Sequence, residues 1–202
     1  MDHPAVAIVQ VENREDVVRI VGGKFRGRPL ATPQTNAIRP TTDRTRESLF
    51  NILMHKYADK IENGRILDLF AGTGALGLEA LSRGGRYGVF IEESAEGRGL
   101  LRQNIENFGL QGQTKVFRRN ACQLGLAGTL EPFDVVFADP PYGKGLGEKA
   151  LTAALEGNWL NSDAIIILEE EADALLNLDE RFVIEDERDY GLTTIRLIRL
   201  AH

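Results

Sequence analysis

Short apolar segments alternate with helical segments from Arg65 onward, and this alternation restricts the fold more than any other feature of the chain. Helices are expected between the apolar segments at about 75–83, 95–108, 121–127 and 147–156. Strands separated by helices of this length predict a mostly parallel sheet that is covered on both faces. The expected strands are RILDLF (65–70), YGVFIE (87–92), TKVFRR (114–119), FDVVFAD (133–139) and AIIILEE (164–170).

The two ends of the chain depart from this alternation. RFVIEDERDYG followed by LTTIRLIRL predicts a C-terminal antiparallel hairpin with its turn near 189–191, which brings the sheet to seven strands. RIVGG and RGRPLATP predict two short strands around a glycine turn, and a helix capped by Thr41 or Thr42 is expected to run to about Asp59. We therefore expect a Rossmann-like α/β fold with three parts: an extension of undefined order (1–18), a basic hairpin and helix (19–60) and the α/β domain (61–202).

Charge is distributed unevenly along the chain. The net charge of −6, from 24 basic and 30 acidic residues, by itself speaks against a nucleic-acid partner. The stretch from Arg19 to Arg46, however, holds seven basic residues and a single acid, so it carries +6 and the remainder −12. A basic arm on an acidic body is typical of a local phosphate-contacting surface. A solvated hairpin with clustered charges is the alternative interpretation.

The cellular compartment is constrained by cysteine and apolar content. The single cysteine, Cys122, excludes an intramolecular disulfide and a zinc site built on cysteine pairs, and it favours a reduced cytoplasmic environment. No uncharged apolar run reaches the length of a membrane span, and MDHPAVAIVQVENRED does not have the pattern of a secretory signal. The three histidines, His3, His55 and His202, lie too far apart in sequence to suggest a metal site.

A glycine-rich loop follows the first expected strand of the α/β domain. In DLFAGTGALG, Gly72, Gly74 and Gly77 satisfy G-x-G-x-x-G, the pattern of a loop whose backbone amides approach a ligand at a helix N-terminus. Glu92, at the end of the next strand, is placed to accept hydrogen bonds from ribose hydroxyls. These features suit a nicotinamide dinucleotide or S-adenosylmethionine. Asp68 favours the second, because a carboxylate suits a ligand that carries an ammonium group.

A second motif, DPPY, follows the fourth expected strand. Pro140 and Pro141 fix φ and remove two amide donors. Asp139 and the carbonyl of Pro140 can then accept both hydrogens of an exocyclic amine and favour a pyramidal nitrogen that can attack a methyl donor. Tyr142 offers a face on which an extruded base can stack. The motif therefore predicts methylation of an amine, without choosing guanine N2 over adenine N6 or RNA over DNA.

Taken together, these motifs resemble the class I S-adenosylmethionine-dependent methyltransferases, and within them the RsmD family. That family methylates the N2 amine of one guanine in the small-subunit (16S) ribosomal RNA of bacteria. The resemblance extends over about residues 19–200. The segments that carry it are RIVGGKFRGRPLATP (19–33), IRPTTDRTRESLFNIL (38–53), DLFAGTGALGLEALSRG (68–84) and DPPYGKGL (139–146).

The resemblance implies roles for individual residues. It implies catalysis by Asp139, Pro140, Pro141 and Tyr142 without a metal. The S-adenosylmethionine site that it implies consists of Thr41, Thr42, Arg44, Asp68, Phe70, Ala71, Gly72, Gly74, Leu76, Glu92, Asn120 and Ala121. The RNA contacts that it implies are Arg19, Lys24, Arg26, Arg28 and Arg39.

Other interpretations of the same residues stay open. DPPY also fits an adenine-N6 methyltransferase acting on DNA or RNA, and the glycine loop also fits a nicotinamide-dependent oxidoreductase. A catalytically silent RNA-binding module for ribosome assembly is a third possibility. The acidic run Glu169–Glu171 ends the fifth expected strand; Glu169 there could face the active-site edge, but the run is expected instead to be solvated or to cap a helix. Because the basic arm is small, we expect 16S ribosomal RNA to be recognised in a protein-bound assembly of the small subunit.

Overall fold

A computed structural model describes residues 17–33 and 42–201 of the chain. Its centre is a seven-stranded sheet in the order β3-β2-β1-β4-β5-β7-β6. The strands are β1 (Arg65–Asp68), β2 (Tyr87–Ile91), β3 (Thr114–Phe117), β4 (Phe133–Ala138), β5 (Leu160–Glu171), β6 (Phe182–Tyr190) and β7 (Thr193–Leu200). The helices are α1 (Asp43–Lys56), α2 (Ala58–Ile61), α3 (Ala75–Ser82), α4 (Ala95–Asn107) and α5 (Leu146–Glu156).

Strand pairing confirms the expected α/β sheet and its C-terminal hairpin. The first five strands are mutually parallel, whereas β7 runs antiparallel to both β5 and β6. The hairpin turn lies at Gly191 and Leu192, at the end of the expected range 189–191, because Tyr190 still pairs with Thr193. β4 and β5 contribute nearly uninterrupted buried residues, as strands covered on both faces do. The carboxyl ends of the five parallel strands meet at one edge of the sheet.

Two expected helices are shorter than their patterns suggested. In place of a helix over 121–127, only a short 3-10 helix forms at Ala121–Gln123, and Gly125 and Gly128 then take positive φ angles that end the helical path. The helix expected to reach Asp59 ends at Lys56. Tyr57 adopts φ −138°, and the short helix α2 begins after it.

The N-terminal arm, residues 17–33, does not form the two expected strands. A single antiparallel bridge joins Arg19 to Pro29, and a short 3-10 helix at Gly23–Phe25 lies between them. Backbone hydrogen bonds from Ile20 N–H to the Arg28 carbonyl (3.0 Å) and from Leu30 N–H to the Val18 carbonyl (2.9 Å) join its two halves. Other backbone groups donate to acceptors on the α/β domain: Val21 to Glu79 (2.8 Å) and Phe25 to Ser82 (2.9 Å). The arm is therefore a minimal hairpin that side-chain acceptors of the α/β domain hold in place.

The arm and α1 share one hydrophobic core with the sheet. Ile20 and Leu30 of the arm, together with Phe50 of α1, belong to the buried cluster that also contains Phe137 of β4. Arg46 of α1 is fully buried and donates to the carbonyl of Arg19, so it ties α1 to the arm and is not available to a phosphate. The arm is thus packed against the α/β domain and not appended to it by a linker. None of the helices described is long and apolar enough to cross a membrane.

Candidate functional site

A cavity of about 770 Å³ opens at the carboxyl edge of the sheet, where the loops after β1, β2, β3 and β4 meet. Ligands of open α/β sheets bind at this edge. Both sequence motifs contribute to the same cavity, together with the segments after β2 and β3. Its walls are formed by Leu69, Phe70, Gly72, Ile91, Glu92, Glu93, Ser94, Arg119, Asn120, Ala121, Cys122, Asp139, Pro140, Pro141, Tyr142 and Leu146.

The glycine loop is fixed by backbone geometry that requires glycine. Gly72 has φ +52° and Gly74 has φ +83°, both in the left-handed region. Gly74 is also the N-terminal cap of α3, and a Cβ atom there would lie 2.5 Å from Leu101 Cδ1. The loop consequently passes close over the sheet edge and presents the Gly72 backbone to the cavity.

Glu92 joins the loop after β2 to the glycine loop. Its Oε2 atom accepts a hydrogen bond of 2.7 Å from the Gly72 N–H, and its Oε1 atom accepts one of 2.7 Å from the Ser94 N–H. Each carboxylate oxygen has two acceptor sites, so both can accept a further bond from a hydroxyl group. Glu92 can therefore position the loop and still bind a diol.

Asp68 lies below the glycine loop and outside the cavity wall. Its side chain is buried, and Oδ2 accepts a hydrogen bond of 3.1 Å from the Gly77 N–H in the first turn of α3. Burial raises the pKa of Asp68 to about 7, and the nearby negative charge of Glu92 adds to the rise. A positive group in the cavity would stabilise the ionised form.

The segment after β3 forms the opposite wall of the cavity. The Asn120 side chain accepts a hydrogen bond of 2.8 Å from the Cys122 N–H and so caps the short 3-10 helix. Its amide nitrogen has no role in that bond and can donate to a ligand. Arg119 donates to the carbonyl of Leu124, which holds the guanidinium against the protein.

The DPPY loop places a carboxylate, a carbonyl and an aromatic ring at the cavity. Asp139 follows the last residue of β4, Pro140 is buried, and Tyr142 is half-buried. The pKa of Asp139 is raised well above its usual range by burial and then by the negative charges of Glu169 and Asp68, against a lowering hydrogen bond from Tyr142. This corner of the cavity favours a group on which positive charge develops.

Glu169 and Glu170 of β5 face this loop, although the acidic run was expected to be exposed to solvent. Glu169 is 5% exposed and accepts a hydrogen bond of 2.9 Å from the Tyr142 hydroxyl. Glu170 is 2% exposed and accepts one of 2.9 Å from the Gly143 N–H. The expectation that Glu169–Glu171 is solvated or caps a helix is therefore wrong for the first two residues. Their position at the carboxyl end of an apolar strand could have indicated this, because polar functional residues of parallel sheets lie at the carboxyl ends of the strands.

The implied cofactor residues are distributed between the cavity and its support. Phe70, Gly72, Glu92, Asn120 and Ala121 line the cavity. Those outside its wall are Asp68, Ala71, Gly74 and Leu76, which are buried or form the turn beneath it, and Thr42 and Arg44 at the start of α1. Thr41 lies outside the described residues.

The implied RNA contacts lie on the arm. Lys24, Arg26 and Arg28 are exposed, and Arg19 is partly exposed. Arg28 also donates a hydrogen bond of 2.5 Å to the carbonyl of Asn107 and stacks over the Phe108 ring at 4.7 Å. Arg39 lies outside the described residues. Among residues 17–33 and 42–201, no group of three or more metal-ligating side chains is assembled.

Comparison with known sequences gives a coherent set of relatives. Residues 18–199 match the family model described as "Conserved hypothetical protein 95". The chain is similar to Ribosomal RNA small subunit methyltransferase D of Haemophilus influenzae, with 36% identity over 191 residues that cover 94% of this chain and 97% of the relative. It is also 38% identical to the protein of that name in Escherichia coli K12, over 89% of this chain and 88% of the relative.

Solved structures agree with these sequence matches. The yhhF protein of Escherichia coli superposes with a TM-score of 0.77 at 35% identity, covering 91% of this chain and 98% of that one. The HI0767 protein of Haemophilus influenzae superposes with a TM-score of 0.75 at 32% identity, covering 92% and 99%. The similarity thus includes the arm and the α/β domain.

Proposed function

Because the chain belongs to the RsmD family of methyltransferases, we propose that it transfers a methyl group from S-adenosylmethionine to the exocyclic N2 amine of a guanine in bacterial 16S ribosomal RNA. The observation that carries the proposal is that the glycine loop and the DPPY loop line one cavity. A methyl donor at the first loop and an amine at the second would then be neighbours. Transfer between them depends mainly on positioning.

The cavity fits S-adenosylmethionine by the chemistry of its walls. Leu69, Ile91 and Ala121 provide apolar surface for a flat adenine ring, and Glu92 provides carboxylate oxygens for the ribose hydroxyls. Asp68, below the loop, contributes negative charge that favours the cofactor's cationic groups. When bound, S-adenosylmethionine supplies an electrophilic methyl group attached to a positively charged sulfur.

Asp139 and Pro140 would orient the amine that attacks this methyl group. The lone pair of an aromatic amine is delocalised into the ring, so the nitrogen becomes nucleophilic only when it is held in a pyramidal geometry. The Asp139 carboxylate and the Pro140 carbonyl would each accept one N–H. The pKa of Asp139 is raised in the cofactor-free protein, and the positive charge of a bound S-adenosylmethionine would favour its ionised form. As the bond from the methyl carbon to sulfur breaks and the bond to nitrogen forms, positive charge moves to the amine nitrogen, where the Asp139 carboxylate would stabilise it. The nitrogen then releases a proton to solvent, and S-adenosylhomocysteine leaves.

The Tyr142 ring would stack on the guanine once the base is flipped out of the RNA base stack. Stacking on an aromatic side chain contributes about 1–3 kcal/mol per base. Stacking does not distinguish guanine from adenine, since both present the same kind of π-face. The choice of guanine N2 therefore rests on family membership.

The exposed cations of the arm would contact RNA phosphates. Among the described residues of the basic stretch 19–46, the exposed cations are Lys24, Arg26, Arg28 and Arg44, and the rest of the chain is acidic. So small a basic surface would bind free RNA weakly. We propose that the substrate is 16S ribosomal RNA within a protein-bound small subunit, which a bacterial cell holds in the cytoplasm.

Asp139→Ala tests the chemistry. We expect a loss of at least about 100-fold in kcat, comparable with removal of a preorganised group that stabilises developing charge. S-adenosylmethionine affinity, measured by calorimetry, should change little. Asp173→Asn is the matched control, because Asp173 is an exposed acid in the loop after β5. Full activity of Asp139→Ala would contradict the proposed role of the DPPY loop.

Two further measurements test the substrate. Digestion of the methylated RNA and mass spectrometry of its nucleosides should yield N2-methylguanosine, and N6-methyladenosine would identify the alternative enzyme. Methyl incorporation into free 16S RNA is then compared with incorporation into protein-bound small subunits. The subunits should react faster, and equal rates would contradict the assembled substrate.

A further inference from the structure

The end of β5 lies directly beside the start of the DPPY loop. β4 and β5 run parallel, and Ala138, the last residue of β4, pairs with Leu168. Asp139, the first residue after β4, therefore lies beside Glu169, the residue that follows Leu168 in β5. Both strands end at the edge that carries the cavity, so a side chain from β5 can reach the loop that follows β4.

Two consecutive residues of β5 hold two consecutive residues of this loop. Glu169 accepts a hydrogen bond from the Tyr142 hydroxyl (2.9 Å), and Glu170 accepts one from the Gly143 N–H (2.9 Å). Gly143 has φ +72°, so the chain turns immediately after the tyrosine. The ring and the turn that follows it are both tied to the same strand.

β5 is a rigid base for these two bonds. It is paired on both sides, in parallel with β4 and antiparallel with β7, where Glu169 is opposite Ile195. Glu169 and Glu170 are almost fully buried, so solvent competes little for their oxygens. A tyrosine bonded to this strand takes its orientation from the sheet.

We infer that Glu169 is a positioning residue for methyl transfer: through its hydrogen bond to the Tyr142 hydroxyl, it fixes the ring on which the target base stacks. The inference rests on the proposed function. The pKa of Tyr142 is raised by burial and by the charges of Asp139 and Glu169, so the phenol stays protonated and remains a donor at neutral pH. Without the bond, the ring would sample other orientations and the amine would less often face the methyl group.

A set of variants separates positioning from plain structural support. Tyr142→Phe keeps the ring and removes the hydroxyl. Glu169→Ala removes the acceptor, and Glu169→Gln keeps an acceptor oxygen of similar reach without the charge. Glu171→Gln is the control, because Glu171 is an exposed acid on the same strand. kcat, KM for RNA, the Kd of S-adenosylmethionine and the thermal unfolding midpoint are measured for each.

Positioning predicts a specific pattern. Tyr142→Phe and Glu169→Ala should each lower kcat by about tenfold, and the double variant should lose far less than the product of the two losses, since the two variants share the bond between Tyr142 and Glu169. Tyr142→Phe also removes the bond from the hydroxyl to Asp139, so its loss can be the larger of the two. Glu169→Gln should recover most of the rate lost in Glu169→Ala. The Kd of S-adenosylmethionine should stay within about twofold, because Glu169 does not line the cofactor part of the cavity.

Several outcomes would overturn the inference. Wild-type kcat in Glu169→Ala, losses that multiply in the double variant, or a kcat loss that merely follows a lowered unfolding midpoint would each do so. Tyr142→Phe keeps the test informative if Glu169→Ala folds poorly. Failure of the proposed function is distinguishable, because the unmodified protein would then methylate no guanine amine at all.

Discussion

The side-chain amide of Asn104 on α4 donates a hydrogen bond of 2.9 Å to the carbonyl oxygen of Thr73 in the glycine loop. The same side chain exchanges two hydrogen bonds with the backbone of Ala31: its Oδ1 accepts from the N–H at 2.7 Å, and its Nδ2 donates to the carbonyl at 3.1 Å. Asn104 is fully buried. One side chain thus connects the arm, the helix and the cofactor loop.

Asn104→Ala should destabilise the fold and loosen the glycine loop. It removes the partner of the partly buried backbone groups of Ala31 and Thr73, and we expect a loss of about 1–3 kcal/mol in the free energy of unfolding, measured with urea. The affinity for S-adenosylmethionine should also fall. Asn107→Ala, at an exposed position on the same helix, should change neither quantity. Equal stability of the two variants would show that the connection contributes nothing.

Glu92→Ala should weaken cofactor binding more than Glu92→Gln. Alanine removes both the acceptor for the Gly72 N–H and the acceptors proposed for the ribose, whereas glutamine keeps one oxygen. We expect a rise in Kd of about tenfold or more for alanine and a smaller rise for glutamine, by calorimetry. Glu96→Gln, an exposed acid in the first turn of α4, should bind as the unmodified protein does. A Kd unchanged by Glu92→Ala would contradict the ribose contact.

The α/β part of the fold could be predicted because its signals are local. Each parallel strand is an apolar run bounded by a turn, and both functional loops follow directly from a strand end. The arm could not be predicted in the same way. Only a few backbone hydrogen bonds join its two halves, and the remaining ones go to Glu79, Ser82 and Asn104, which are distant in sequence.

The same reason explains why a solvated position was preferred for Glu169 over one at the active-site edge. Three consecutive acids have the composition of a surface segment, and only the pairing of β5 with β4 shows that the first two lie beside the DPPY loop. Arg46 is the opposite case. The sequence placed Arg46 among the basic residues of a phosphate-contacting arm. In the structure its side chain is buried and forms an ion pair with Asp43.

Asp68 should make the cofactor-free protein less stable as the pH rises from about 4 to about 7. Its pKa is about 7 in the folded protein against 3.8 ordinarily, so over this interval the folded state binds a proton that the unfolded state has lost. The stabilisation that Asp68 contributes is complete below the unfolded-state pKa. It falls by at most about 1.4 kcal/mol per pH unit between the two pKa values and stops changing above the folded-state pKa. Asp68→Asn keeps an acceptor for the Gly77 N–H and removes the titration.

The comparison is made by urea unfolding at pH 5 and pH 8. The unmodified protein should lose more stability between these values than Asp68→Asn. Asp139 titrates in the same direction in both proteins, and loss of the Asp68 charge lowers the pKa of Asp139, so the difference between the two proteins reports Asp68 together with its effect on Asp139. S-adenosylmethionine should bind Asp68→Asn more weakly at pH 8, because the variant lacks the negative charge below the loop. Identical pH dependence of stability would contradict the raised pKa.

Arg26→Ala should weaken RNA binding equally for different sequences and reduce its dependence on salt. Arg26 is exposed on the arm, so its removal deletes a phosphate contact and little else; the slope of log K against log salt should become shallower by about one unit. Arg28→Ala should lower stability as well, because Arg28 also bonds Asn107 and stacks on Phe108. Arg86→Ala removes another exposed charge, just before β2 at the amino edge of the sheet. If Arg86→Ala changes the slope as much as Arg26→Ala does, then RNA binding is not localised on the arm, and general charge attraction explains it instead.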